Sequence, residues 1–140
     1  MVQNTLESLW NLMNTSTKKE MRKVINKDKA GRMIGGTSLC GYIEGFTYEE
    51  LVDLMGEPTF NEEDGGDGKI NKEWTIIHYG NVYTIYDWKT YDTNYTMTKL
   101  KKWNVGGKTN AADFIDELTK KLEKNREEYY TFWYEKNENT

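Results

Sequence analysis

The chain has 140 residues, 36% hydrophobic and 30% charged, which fits one domain around a single core. Its one Cys excludes an internal disulfide, and one Cys with one His excludes a Cys/His zinc centre within a chain. With 19 basic against 23 acidic residues the net charge is −4, which argues against tight, sequence-independent binding of duplex nucleic acid and is too mild for a duplex-mimicking polyanion.

No apolar run approaches the roughly 18 residues that a spanning helix needs, and residues 1–10 are too polar for a signal peptide. The expectation is a soluble protein with no membrane partner and a reduced thiol. Five Trp, ten Tyr and four Phe in a chain of mean hydropathy −0.89 supply stacking and amphipathic contact better than charge.

In chain order, residues 5–26 place Leu6, Leu9, Trp10, Met13, Met21, Val24 and Ile25 near one helical face. Cap-type residues 14–17 interrupt that face, and Glu20 stands three after Thr17, so two short helices or one broken helix are expected. Residues 1–30 form an N-terminal helical arm, 31–128 a core domain and 129–140 an aromatic tail in this reading. Residues 38–44 read as a short strand. Thr47 and Glu50 form a capping box for a helix over 48–55, which Gly56 ends and Pro58 prevents from restarting.

The acidic, glycine-rich residues 61–69 read as a solvated loop, with Gly66 and Asp67 set wrongly for a calcium loop. Residues 73–79 and 82–88 are dense in β-formers around Gly80-Asn81, a two-residue hairpin signal. Residues 103–105 read as a strand leading through Gly106-Gly107-Lys108-Thr109-Asn110 into a helix over 111–124, striped by Ala111, Phe114, Ile115, Leu118 and Leu122. The tail over 129–134 is too aromatic for an ordinary disordered end and is expected to pack on this chain or on a neighbour. The fold class is α+β: an antiparallel sheet of about four strands with two helices packed on it, plus the helical arm.

Two residue sets carry candidate chemistry. Gly106, Gly107, Lys108 and Thr109, between a strand and a helix start, offer backbone N–H groups, a helix dipole, a point charge and a hydroxyl to an anion. The same residues also fit an ordinary tight turn and N-cap, and Lys102 stands where a full phosphate loop needs Gly. Trp74, Tyr86, Trp88 and Trp103 form the second set: alternation is taken to put Trp74, Tyr86 and Trp88 on one sheet face, where exposed rings would stack a nucleobase and enclosed rings would be core. Cys40 and His78 read as a buried structural thiol and a half-exposed strand histidine, and no base, nucleophile or metal set emerges, so the expectation is a non-enzyme without cofactor or metal.

Five motifs in order resemble a family of small, functionally unassigned proteins of tailed phages and large DNA viruses, over about residues 36–118. They are Gly36-Thr37-Ser38-Leu39 with Gly41-Tyr42-Ile43; Thr47-Tyr48-Glu49-Glu50-Leu51-Val52 with Gly56-Glu57-Pro58-Thr59; Lys72-Glu73-Trp74-Thr75-Ile76; Thr84-Ile85-Tyr86-Asp87-Trp88-Lys89; and Trp103-Asn104-Val105-Gly106-Gly107. The resemblance implies a viral accessory protein in the host cytoplasm and carries no catalytic residues. More loosely, the helix, Gly-x-Pro, loop and Trp-bearing strand are similar to small α+β units of β-lactamase-inhibitor-like and outer-membrane-assembly lipoproteins. The expected function is sequestration of a nucleotide-derived immune signal without cleavage, with homo-oligomers formed through the arm and the tail. The alternative is an inhibitor that blocks a host defence protein or nuclease.

Overall fold

The computed structural model describes residues 21–138; the helical reading of residues 5–20 lies outside them. The elements are β1 (Met21–Lys23), α1 (Lys27–Met33), β2 (Ser38–Glu44), α2 (Tyr48–Met55), a 3₁₀ turn (Glu62–Asp64), β3 (Glu73–His78), β4 (Asn81–Tyr86), α3 (Thr93–Thr98), β5 (Lys102–Gly107) and α4 (Ala112–Glu138). All strand pairs are antiparallel, in the order β1-β3-β4-β5-β2. The class is α+β as expected, but the sheet has five strands where four were counted.

The extra strand comes from the segment assigned to the helical arm. Met21, Arg22 and Lys23 pair with His78, Ile77 and Ile76, and the ladder continues as Val24 N–H donates to Thr75 O at 2.8 Å. The unpaired edge of β3 satisfies these backbone groups, which outweighs the helical spacing of Met21, Val24 and Ile25; Ile25 is 81% exposed and forms no stripe. The boundary drawn at residue 30 therefore falls inside α1.

One face of the sheet carries the core. Trp74 and Ile76 of β3, Tyr83 and Ile85 of β4, Trp103 and Val105 of β5 and Ile43 of β2 pack against Leu51 of α2 and Phe114, Leu118 and Leu122 of α4. Trp74 and Trp103 meet edge-on, 5.6 Å between ring centroids. Their indole N–H groups donate to Gly56 O and Phe46 O, each at 2.9 Å, so the two rings clamp both ends of α2. Thr47 and Glu50 make both halves of the capping box, and Arg126 of α4 donates to both Glu50 carboxylate oxygens and to Gly45 O, tying α4 to the start of α2.

The β3–β4 hairpin turns on Tyr79 and Gly80, with φ of 49° and 79°, one residue earlier than Gly80-Asn81. Both residues take the left-handed conformation of a type I′ turn, and glycine carries it without a Cβ penalty. A two-residue loop pairs an even residue with an odd one: Trp74 opposes Ile85, and Glu73 opposes Tyr86. Directly opposed residues share a face. Trp74 therefore points into the core while Tyr86 points to the other side, and the shared face expected for them is corrected.

Helix α4 runs unbroken to Glu138, over 27 residues, so the aromatic tail expected as a separate segment is its last three turns.

Candidate functional site

The outer sheet face, opposite the core, holds an open groove. Across it Tyr86 of β4 opposes Asn104 of β5, which opposes Tyr42 of β2. Trp88 follows β4 and meets Tyr86 edge-on at 6.3 Å. Together with Leu39, Leu100 and Lys102 these residues line about 650 Å³, within the range of small-molecule sites. The Lys102 ammonium lies 4.2 Å from the centroid of the Tyr42 ring and 3.5 Å from Glu44, and Lys89 lies 5.5 Å from the Trp88 ring. The groove thus combines π-faces, one amide and one lining cation paired with Glu44, with a second cation beside Trp88.

Glu73 closes the row beside Tyr86. Burial, with a smaller push from the Asp87 carboxylate, raises its pKa to about 7. Burial also raises the Tyr86 phenol, with Glu73 adding to it and a hydrogen bond from Asn104 working the other way.

The mount for Trp88 is the adjacent Asp87, which is 1% exposed. One of its oxygens accepts from the backbone N–H groups of Asn71 and Lys72 at 2.8 and 3.0 Å. The other accepts from the Asn71 amide at 2.9 Å, Thr96 Oγ1 at 2.8 Å and Thr90 Oγ1 at 3.3 Å. These bonds join residues 71–72 and α3 to the end of β4, and Lys89 N–H donates to Lys69 O at 2.7 Å. Trp88 is thereby held on a fixed turn at the groove mouth.

Of the predicted site residues, the structure gathers only Tyr86 and Trp88 at this groove, and Trp88 is 47% exposed. Trp74 and Trp103 are fully enclosed in the core and stack no ligand, which corrects their assignment. Gly106 and Gly107 are not a loop of free amides: they are strand residues of β5, paired with Thr84 and Tyr83 on one side and Leu39 and Ser38 on the other. A Cβ on Gly106 would sit 2.6 Å from Thr84 Oγ1, and one on Gly107 2.9 Å from the Tyr83 ring. These glycines exist to admit neighbouring side chains, so the phosphate turn is corrected too. Lys108 and Thr109 are exposed, but Tyr83 Oη and Cys40 Sγ already contact the Thr109 hydroxyl and carbonyl, and Asn110 accepts from Ala112 N–H at the start of α4.

Tyr42, Lys102 and Asn104 were missed. Lys102 and Asn104 alternate with buried Trp103 and Val105, a legible outward pattern, whereas the irregularity between Leu39 and Gly41 breaks the alternation that would have placed Tyr42.

Cys40 and His78 do not form a pair. Both readings are corrected: Cys40 is exposed, at the irregularity between Leu39 and Gly41 of edge strand β2, with Sγ donating to Ser38 O and Gly107 O, while His78 is only 5% exposed, covered on the core face by α4, where it bonds to Glu117. The acidic loop is engaged locally, Asp64 with Lys27 and Glu62 with Lys72, and among the described residues no group of three His, Cys, Asp or Glu is placed to hold a metal. Among the same residues no helix is long and apolar enough to cross a membrane. Comparison with known families, curated proteins and solved structures finds no match to this chain.

Proposed function

We propose that this chain is a non-catalytic binding protein that holds a nucleotide-type ligand in the outer-face groove. Its role, drawn from the resemblance to phage and large-virus accessory proteins, is to sequester a nucleotide-derived immune signal in the infected host cytoplasm. The carrying observation is the grouping of Tyr42, Tyr86 and Trp88 around one open groove with Lys102 over a ring. A base stacks on Trp88 or Tyr86, Asn104 meets its polar edge, and Lys102 and Lys89 take the anionic end; each stacked base contributes about 1–3 kcal/mol.

The test is a melting-curve screen of the protein with cyclic di- and oligonucleotides and ADP-ribose derivatives, followed by heating and recovery of unaltered ligand. A binder should raise Tm for wild type and for Lys108→Ala, and lose the shift in Trp88→Ala and Lys102→Ala. No shift with any member of the panel overturns the reading.

A second reading, an inhibitor that docks on a host defence protein or nuclease, is favoured by Tyr91, Tyr95 and Met97, which are 62%, 44% and 42% exposed in the segment after Trp88. It predicts a stoichiometric partner recovered from host lysate and lost on Tyr91→Ala.

A further inference from the structure

Beyond Arg126, which bonds to Glu50 and Gly45, the helix continues for 12 residues to Glu138, about 18 Å at 1.5 Å per residue. Tyr129, Tyr130, Trp133 and Tyr134 line one concave side of this extension and are 48–72% exposed. At 100° per residue Tyr129, Tyr130 and Trp133 continue the azimuth of Leu118, Leu122 and Arg126, so the stripe that buries the first half of α4 runs on past the core; Tyr129 and Tyr130 border the notch against α2, and Trp133 and Tyr134 extend beyond it. Trp133 N–H donates to Tyr129 Oη at 2.9 Å, which fixes two of the rings in place.

We propose that this underside pairs with the same surface of a second copy, as an antiparallel two-fold helix pair. Three observations select that occupant. First, area: taking about 200 Å² for a ring residue, these exposures leave about 470 Å² per chain, so the rings of two copies together can remove at most about 950 Å², close to the roughly 1,000 Å² of a specific interface. Second, direction: the rings face the side on which the domain lies, so a parallel partner would bring its own domain into the same space. An antiparallel partner slides under the extension with its domain at the far end, and Tyr129 and Tyr130 then face the partner's Tyr134 and Trp133. Third, charge: in that register the tip of the partner helix, which carries Lys136, reaches the notch between α2 and α4 lined by Glu49, Glu50 and Asp53. Arg126 occupies Glu50, leaving exposed Glu49 and Asp53 for the incoming cation.

The experiment is sedimentation and light scattering on the full chain across micromolar to submillimolar concentrations. Wild type should dimerise, and Trp133→Glu should weaken the dimer by at least about 30-fold, the effect of losing a central aromatic anchor. Glu128→Lys, at least 100° around the helix from each of the four rings, should leave the dimer intact. Lys136→Glu should weaken it, and Glu49→Lys added to Lys136→Glu should restore it. Circular dichroism and the melting curve keep misfolding apart from dissociation, since Trp133 bonds to Tyr129 of its own helix and Glu128 is exposed. A wild type that is monomeric throughout, a dimer indifferent to Trp133→Glu, or one equally broken by Glu128→Lys overturns the proposal.

Discussion

Replacing Glu73 by Gln tests the electrostatics of the groove wall directly. In the folded chain burial holds the Glu73 pKa at about 7, against an ordinary value of 4.5. The folded state therefore keeps this proton over a range in which the unfolded chain has released it. Stability from Glu73 is fully present below about pH 4.5, falls as pH rises, and is lost above about pH 7. At 1.36 kcal/mol per pH unit, the loss over this window is about 3 kcal/mol. Gln is neutral throughout and carries no such loss, so Glu73→Gln should match wild type near pH 4 and be about 3 kcal/mol more stable at pH 8, some 10 °C in Tm for a chain of this size. Urea titrations of both proteins at pH 4, 5.5, 7 and 8 measure the difference. A stability difference that stays constant across these pH values would refute the argument, because it would mean that the carboxyl titrates alike in the folded and unfolded chains.

Asp87→Ala strips the acceptor from two buried backbone N–H groups and three side chains, and should cost about 4 kcal/mol in urea unfolding while loosening Trp88. Trp103→Ala should cost about 3–5 kcal/mol through a core cavity, whereas Trp88→Ala should cost under about 1 kcal/mol and instead abolish ligand-induced melting shifts. Gly106→Ala should destabilise by about 1–3 kcal/mol by driving a methyl into Thr84 Oγ1, and Thr84→Ala in the same chain should recover much of that loss; additive effects in the double-mutant cycle would contradict the contact.

Local chemistry was readable wherever neighbours in the chain decide the outcome. The α2 helix begins and ends where Thr47, Glu50 and Gly56 dictate, because capping is a matter of three or four adjacent residues. Strands β2 to β5 and the α4 stripe follow from β-former density and 3.6-residue spacing. At the groove, Tyr86 and Trp88 stood out as aromatic residues of a strand and its exit, and both line it.

What remained hidden depends on which residues meet across the sheet. Met21, Val24 and Ile25 satisfy a helical pattern, and only the vacant edge of β3 made residues 21–23 a strand. Trp74 and Trp88 are chemically alike, yet hairpin register sent one into the core and left the other at a groove mouth. Gly106-Gly107 resembles an anion turn until two neighbouring strands take its backbone groups and Thr84 and Tyr83 fill the space above it. Composition and spacing by themselves determined an acidic, aromatic-rich α+β chain and most of its elements, because those depend on short-range sterics and hydrogen bonding. Tertiary structure alone decided which rings face water, since that rests on pairing between residues far apart in the chain.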